Sequence, residues 1–208
     1  MGLRHRSIRL RVGVLITVPV LCLLALYGFV VSITLGSAVS QKHATTLRND
    51  VANPVANFQE QVASERGDAL LSLANPTDTG VASKLGIQES ATQHTLTALT
   101  AALQGPGVTS LAAPPEQAAI RSLLSAAKKL TYIRGVISDN AISMRAALAD
   151  YDAVIDAGYP VIDEALDQLS NVSIVTQALD VLNLDRASQA TQAEWDLLAG
   201  EFLARTAV

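Results

Sequence analysis

This 208-residue chain has few cysteines and histidines and no cluster of positive charge in its body, and each of these features excludes a kind of site. Cys22 is the single cysteine, so neither a disulfide within the chain nor a cysteine-ligated metal site can form. His5, His43 and His94 lie far apart and lack the spacing of a metal-binding pair, so we expect no metal and no cofactor. The net charge of -4, with no basic patch in the body of the chain, argues against nucleic acid as a partner.

Motifs that carry catalysis are missing as well. The chain has no phosphate-cradling glycine loop, no nucleophile motif, and neither the ATP-binding nor the phospho-acceptor segment of a kinase. We therefore expect that the chain, as given, is not an enzyme. Half of the residues are hydrophobic but only 4% are aromatic, so Ala, Leu, Val and Ile supply the apolar content. Ala and Leu favour helices, and the composition predicts an all-α fold.

Residues 12–35 form an uncharged apolar stretch of the length that a transmembrane helix requires. A helix of this length measures about 36 Å, against a hydrocarbon core of about 30 Å. Four arginines precede it: Arg4, Arg6, Arg9 and Arg11. The positive-inside rule then predicts a cytoplasmic tail (1–11), a single transmembrane helix (12–35) and an extracytoplasmic domain (36–208) in the cell membrane.

A cleaved signal peptide is the alternative interpretation of this stretch, because Ala38-Val39-Ser40 resembles a small-residue cleavage site. Apolar cores of signal peptides run to about 7–15 residues, and this stretch is longer. We therefore favour the retained anchor.

Beyond the anchor, apolar residues recur at helical spacing and predict an up-and-down helical bundle. Asn53-Pro54 is expected to end one helix and to begin the next. Helices are predicted over 54–74, 81–103, 115–137, around 148–155, and over 161–169, 174–184 and 190–204, with a connection at 104–114, a new cap at Ser138-Asp139 and a break at Gly158-Tyr159-Pro160.

Two arginines fall inside apolar helical stripes. Arg66 lies on the stripe of Val55, Val62 and Leu73, and Arg134 lies on the stripe that begins at Ile120. A buried guanidinium needs an acceptor, which a bound anion would supply.

From spacing alone, a structural partner is favoured over a bound anion for each arginine, and Glu60, Glu65 and Asp68 are near enough to pair with Arg66. Either arginine could also extend from the stripe to water. Tyr151 and Trp195 are interpreted as packing residues, with Trp195 anchoring the last helix.

The order of several short segments resembles the nitrate- and nitrite-sensing domain at the N-terminus of actinobacterial sensor histidine kinases. These segments are Arg6-Ser7-Ile8-Arg9-Leu10-Arg11 before the apolar run with Pro19, then Pro54, Glu65-Arg66-Gly67 and Leu70-Leu71-Ser72, then Leu130, Arg134 and Tyr151, and lastly Glu194 with Asp196-Leu197-Leu198-Ala199-Gly200.

The resemblance implies an all-helical extracytoplasmic sensor in which Arg66, and with it Arg134, binds the anion. The expected function is a membrane-anchored sensor domain of two-component type that lacks the kinase. Its expected partners are the membrane and a small oxyanion (nitrate or nitrite), with a homodimer as one possible assembly. The alternative is an anchored helical interaction module that docks on a receptor or envelope protein and binds no small ligand.

The predicted topology can be tested with a reporter enzyme that is active only outside the cytoplasm. Fused after Val208, it should be active, because the charge asymmetry places 36–208 outside. Added protease should also degrade the domain in intact spheroplasts. Protection of the domain from that protease would contradict the topology.

Overall fold

The computed structural model describes residues 45–169 and 172–206, and every regular element within them is helical. A π-helical turn at Leu47–Ala52 is followed by α1 (Asn53–Ala74), α2 (Thr79–Leu103), α3 (Pro106–Leu111), α4 (Pro114–Ala127), α5 (Leu130–Ser138), α6 (Met144–Asp156), α7 (Tyr159–Asp167) and α8 (Val172–Thr206). The all-α prediction is confirmed for this part of the chain.

The predicted tail (1–11) and anchor (12–35) lie outside the described residues. Among the helices that the structure describes, none has both the length and the apolar character that a membrane crossing demands.

Helix α1 is the centre of the bundle and packs along α2, α6 and α8. Because it has neighbours on several sides, half of its 22 residues are buried: Val55, Phe58, Gln59, Val62, Ala63, Glu65, Arg66, Asp68, Ala69, Leu70 and Ala74. Each large apolar side chain among them stabilises the fold by about 1.5–3 kcal/mol relative to exposure. The charged residues in the same set must find their partners inside the protein.

Side-chain caps and prolines determine where most helices begin. The Asp78 carboxylate accepts hydrogen bonds from the backbone N–H groups of Gly80 (2.8 Å) and Val81 (3.2 Å) at the start of α2. Ser143 Oγ accepts from the N–H of Ala146 (3.2 Å) at the start of α6. Helices α3, α4 and α7 each have a proline in the first turn, where a missing N–H costs little.

The prediction that Asn53-Pro54 stops a helix is wrong, because the chain passes from the π-helical turn directly into α1. Proline cannot donate to the carbonyl four residues earlier, and its ring clashes with that carbonyl in a regular helix. The wider turn avoids this conflict, and the N–H of Asn53 donates to the carbonyl of Arg48, five residues back.

Four other features differ from the prediction. The helix expected over 115–137 divides into α4 and α5, and α3 forms inside the expected connection at 104–114. The helices expected at 174–184 and 190–204 are one helix, α8, because no Gly or Pro separates them. The cap before α6 is Ser143 rather than Ser138-Asp139, since the left-handed residue Asn140 (φ 49°) first ends the preceding helix.

Two glycines give opposite expectations for alanine substitution. A Cβ at Gly135 of α5 would meet nothing within 4 Å, so Gly135→Ala should raise the free energy of unfolding by about 0.5–1 kcal/mol. A Cβ at Gly158 would lie 2.8 Å from the side chain of Gln59, whose buried amide donates to the carbonyl of Ile155 at 2.8 Å. Gly158→Ala should therefore lower stability in urea unfolding.

The helical Gly86 also has open space at its Cβ position, so Gly86→Ala serves as a second reference. Equal stability of the Gly158→Ala and Gly135→Ala proteins would contradict the packing described at Gly158.

Candidate functional site

Glu65 and Arg66 carry opposite charges on consecutive residues in the middle of α1. Successive side chains of an α-helix point about 100° apart, so the two face different neighbouring helices. Both are buried, with 0% of Glu65 and 1% of Arg66 exposed. Removing a charge from water costs several kcal/mol unless the charge is paired, so the partners of each residue decide its chemical role.

Glu65 is held by residues of α5 and α6. Arg134 donates from Nε to Oε1 and from Nη2 to Oε2 of the carboxylate, both at 2.8 Å. The hydroxyl of Tyr151 donates to the same Oε1 at 2.9 Å. Burial and the neighbouring Glu65 carboxylate raise the pKa of Tyr151, which keeps the hydroxyl protonated as a donor. This cluster neutralises Arg134 with a two-pronged carboxylate contact.

Arg66 contacts carboxylates from two other helices. Its Nη1 donates to Asp152 of α6 at 2.7 Å, and its Nε donates to Asp196 of α8 at 3.2 Å. Asp196 approaches closely because residue 67 is glycine, since a Cβ there would lie 3.3 Å from its Oδ1. The remaining nitrogen, Nη2, is buried and makes no hydrogen bond within the described part of the chain, although it lies 3.2 Å from Asp196 Oδ2.

A cavity of about 480 Å³ lies beside Arg66. Its walls come from α6, the start of α7 and the middle of α8: Asp152, Ile155, Asp156, Tyr159, Pro160, Arg186, Gln189, Ala190 and Ala193. The cavity combines apolar surface with a few polar groups, as small-molecule sites usually do. Arg134 does not line it.

A second guanidinium, that of Arg186 on α8, also lines this cavity. It lies over the ring of Tyr159, 4.5 Å from the ring centroid, and its Nη2 donates to Asp163 at 2.8 Å. The hydroxyl of Tyr159 donates to Asp185 at 3.3 Å. Stacking on the ring and pairing with Asp163 hold the Arg186 guanidinium in place at the cavity wall.

The charges that line the cavity are balanced, because Asp152 and Asp156 accompany the two arginines. Burial, and secondly the neighbouring Asp152, raise the pKa of Asp156, while Arg186 opposes this shift. Burial likewise raises the pKa of Asp196, with Arg66 opposing. An anion that enters the cavity therefore competes with these carboxylates for Arg66 and Arg186.

Two buried polar atoms at the cavity have no hydrogen-bond partner among the described residues: Nη2 of Arg66 and Oε1 of Gln189. Nη2 of Arg66 is always protonated, so it can only donate and requires an acceptor. No group of three His, Cys, Asp or Glu side chains that could hold a metal occurs in the described ranges 45–169 and 172–206. Within these ranges, the cavity lining thus leaves one buried donor, on Arg66, and one buried acceptor, on Gln189, without a hydrogen bond.

The two arginines selected from the sequence do not meet in one site. Arg66 lines the cavity, whereas Arg134 pairs with Glu65, one of the carboxylates that the sequence offered as a partner for Arg66. Asp68, another of these, pairs instead with Lys84 of α2 at 2.8 Å. The sequence reasoning missed Arg186 and Gln189, because it placed them between two separate helices rather than inside α8.

The described part of the chain is a helical bundle in which a cavity of mixed polar and apolar lining lies beside the buried Arg66. A family model described as nitrate and nitrite sensing matches residues 58–207, which is well over half of the chain. The chain belongs to the nitrate and nitrite sensing family. Comparisons with curated proteins and with solved structures found no match.

The contacts of Glu65 with Arg134 and Tyr151 predict that two arginine substitutions differ strongly in their effect on stability. Arg134→Met should lower the free energy of unfolding by about 3–5 kcal/mol, because it leaves the carboxylate of Glu65 buried without its cation. Arg145→Met removes an exposed pair with Glu201 (3.3 Å) and should change stability by about 1 kcal/mol or less.

Chemical unfolding monitored by far-ultraviolet circular dichroism measures the free energy of unfolding of both variants. Similar stabilities for the two would show that the Glu65–Arg134 pair is not the buried pair described above.

Proposed function

We propose that this domain senses nitrate or nitrite outside the cell, as the anchored input domain of a two-component receptor, and that the anion binds in the cavity beside Arg66. Membership of the nitrate and nitrite sensing family supports the ligand. The anchor and the location follow from the uncharged stretch at 12–35 and the arginines before it. Signalling would pass to a histidine kinase of the two-component type.

The observation that carries the proposal is the buried Nη2 of Arg66, a charged donor without a hydrogen bond beside an open cavity. A planar oxyanion offers acceptor oxygens in the plane of the guanidinium. Arg186, on the cavity wall, supplies a second positive charge. Arg134 has a structural role in this proposal, because Glu65 occupies its donors.

Weak binding is expected, for two reasons. Asp152 and Asp196 already occupy two nitrogens of Arg66, so the anion must compete with them. The cavity of about 480 Å³ is also much larger than a three- or four-atom anion. For comparison, one water molecule takes up about 30 Å³ in the liquid. Water must then fill the remaining space and bridge the anion to the other polar groups.

Thermal unfolding of the full chain tests the proposal. Nitrate or nitrite at about a hundredfold excess over its dissociation constant should stabilise the folded state by about 2.7 kcal/mol, if it binds only that state. For a chain of this size the melting temperature should then rise by several degrees. Chloride at equal ionic strength serves as the reference for general screening.

Three variants test whether the stabilisation by the anion arises from binding in the cavity. Arg66→Lys should weaken the stabilisation by the anion, because an ammonium lacks the planar pair of donors. Arg186→Met should also weaken it, whereas Arg145→Met, outside the cavity, should leave it unchanged. Each variant must retain its helical circular dichroism for the comparison to count. Absence of any nitrate- or nitrite-specific shift relative to chloride, at anion concentrations raised well above millimolar to allow for weak binding, would reject the proposal and favour the interaction module.

A further inference from the structure

Helix α8 presents two different faces, and only one of them is used by the bundle. Its inner face packs against the other helices through residues such as Leu182, Ala193 and Gly200, which are buried. Its outer face carries large apolar residues that are exposed, among them Leu184 (72%) and Trp195 (68%). Trp195 was expected to anchor the helix in the core, and that expectation is wrong.

The outer residues follow a seven-residue repeat. Val181, Leu184, Ser188, Thr191, Trp195 and Leu198 are spaced alternately by three and four positions, and we call this set the outer seam. Alternating spacing of three and four is the pattern by which one helix packs lengthwise on another. The seam extends along about 26 Å of helix, at 1.5 Å per residue. An α-helical partner therefore matches its geometry.

The charges beside the outer seam are acidic. Asp180 and Glu194 flank it and form no ion pair among the residues that the structure describes. Over residues 175–204 the helix has one basic residue, Arg186, and this arginine faces the cavity on the inner side. A partner with Lys and Arg beside its own apolar residues would complement this surface.

The same charges disfavour two other occupants. In a parallel pair of α8 helices, Asp180 of one copy would lie against Asp185 of the other, and like charges at these flanking positions oppose pairing. Helices that lie on bilayers carry Lys and Arg along their polar face, whereas the one basic residue over 175–204, Arg186, faces the cavity on the inner side.

We propose that the outer seam is a docking surface for an amphipathic helix of a partner protein, whose apolar residues are flanked by Lys and Arg. Trp195 and Leu198 form the largest apolar part of the contact, in keeping with the dominance of tryptophan in protein interfaces. This docking does not depend on anion binding, because the outer seam and the cavity lie on opposite faces of α8.

Trp195 is the only tryptophan of the chain, so its fluorescence reports occupation of the outer seam directly. The test uses the full chain in vesicles of neutral lipid, to which a basic peptide is not attracted. The probe is a tryptophan-free peptide of about four heptads, with Leu at the seam positions and Lys at the flanking positions. A second peptide has the same seam with Glu at the flanks.

The Lys-flanked peptide should shift the Trp195 emission to shorter wavelength and saturate at one peptide per chain. The Glu-flanked peptide should bind at least about tenfold more weakly, and salt should weaken the Lys-flanked complex. Leu184→Gln should weaken binding by about tenfold or more. Ile87→Gln, at a residue of α2 with the same exposure (71%), should have no effect.

Three results would overturn the proposal. Equal binding of the two peptides would reject the charge argument. No shift with either peptide would show that the outer seam does not dock a helix. An emission shift that follows the protein-to-lipid ratio without peptide would show that a second copy of the chain occupies it.

Discussion

Two opposite charges at consecutive positions of the central helix must both be paired by the helices around it. Glu65 and Arg66 are both buried, so each needs a partner from a different direction. Helix α6 supplies both at once, with Tyr151 on Glu65 and Asp152 on Arg66. A shift of α6 by one residue along α1 would remove both contacts together. The charges thus add little net stability but make the alternative packings costly.

The sequence predicts the positions of the helices better than it predicts the partners of the buried charged side chains. Helical periodicity identified the all-α class, the end of α1 at Ala74 and the break near Gly158. It also placed Arg66 among buried residues, which the structure confirms. The acceptors could not be inferred, because Asp152 and Asp196 lie 86 and 130 residues away along the chain. Pairing over such distances depends on tertiary packing that no local pattern contains.

Helix α8 shows why an apolar stripe does not by itself identify the core. The helix has a bundle-facing set that includes Leu182 and Ala193, and a separate outer set that includes Leu184 and Trp195. Trp195 was interpreted as the packing anchor of the last helix, yet small residues such as Gly200 lie against α1 instead. Arg186 was missed for a different reason, because the predicted helices end at 184 and begin again at 190, whereas 172–206 form one continuous helix.

The carboxylates on Arg66 have a consequence for any sensor built around it. Asp152 and Asp196 act as competitors at high effective concentration, because the fold holds them against the guanidinium. Weakly bound background anions would then be unable to displace them. In a sensor of the proposed kind, these two side chains would set the response threshold, so that the domain ignores trace amounts of its ligand and responds only to abundance.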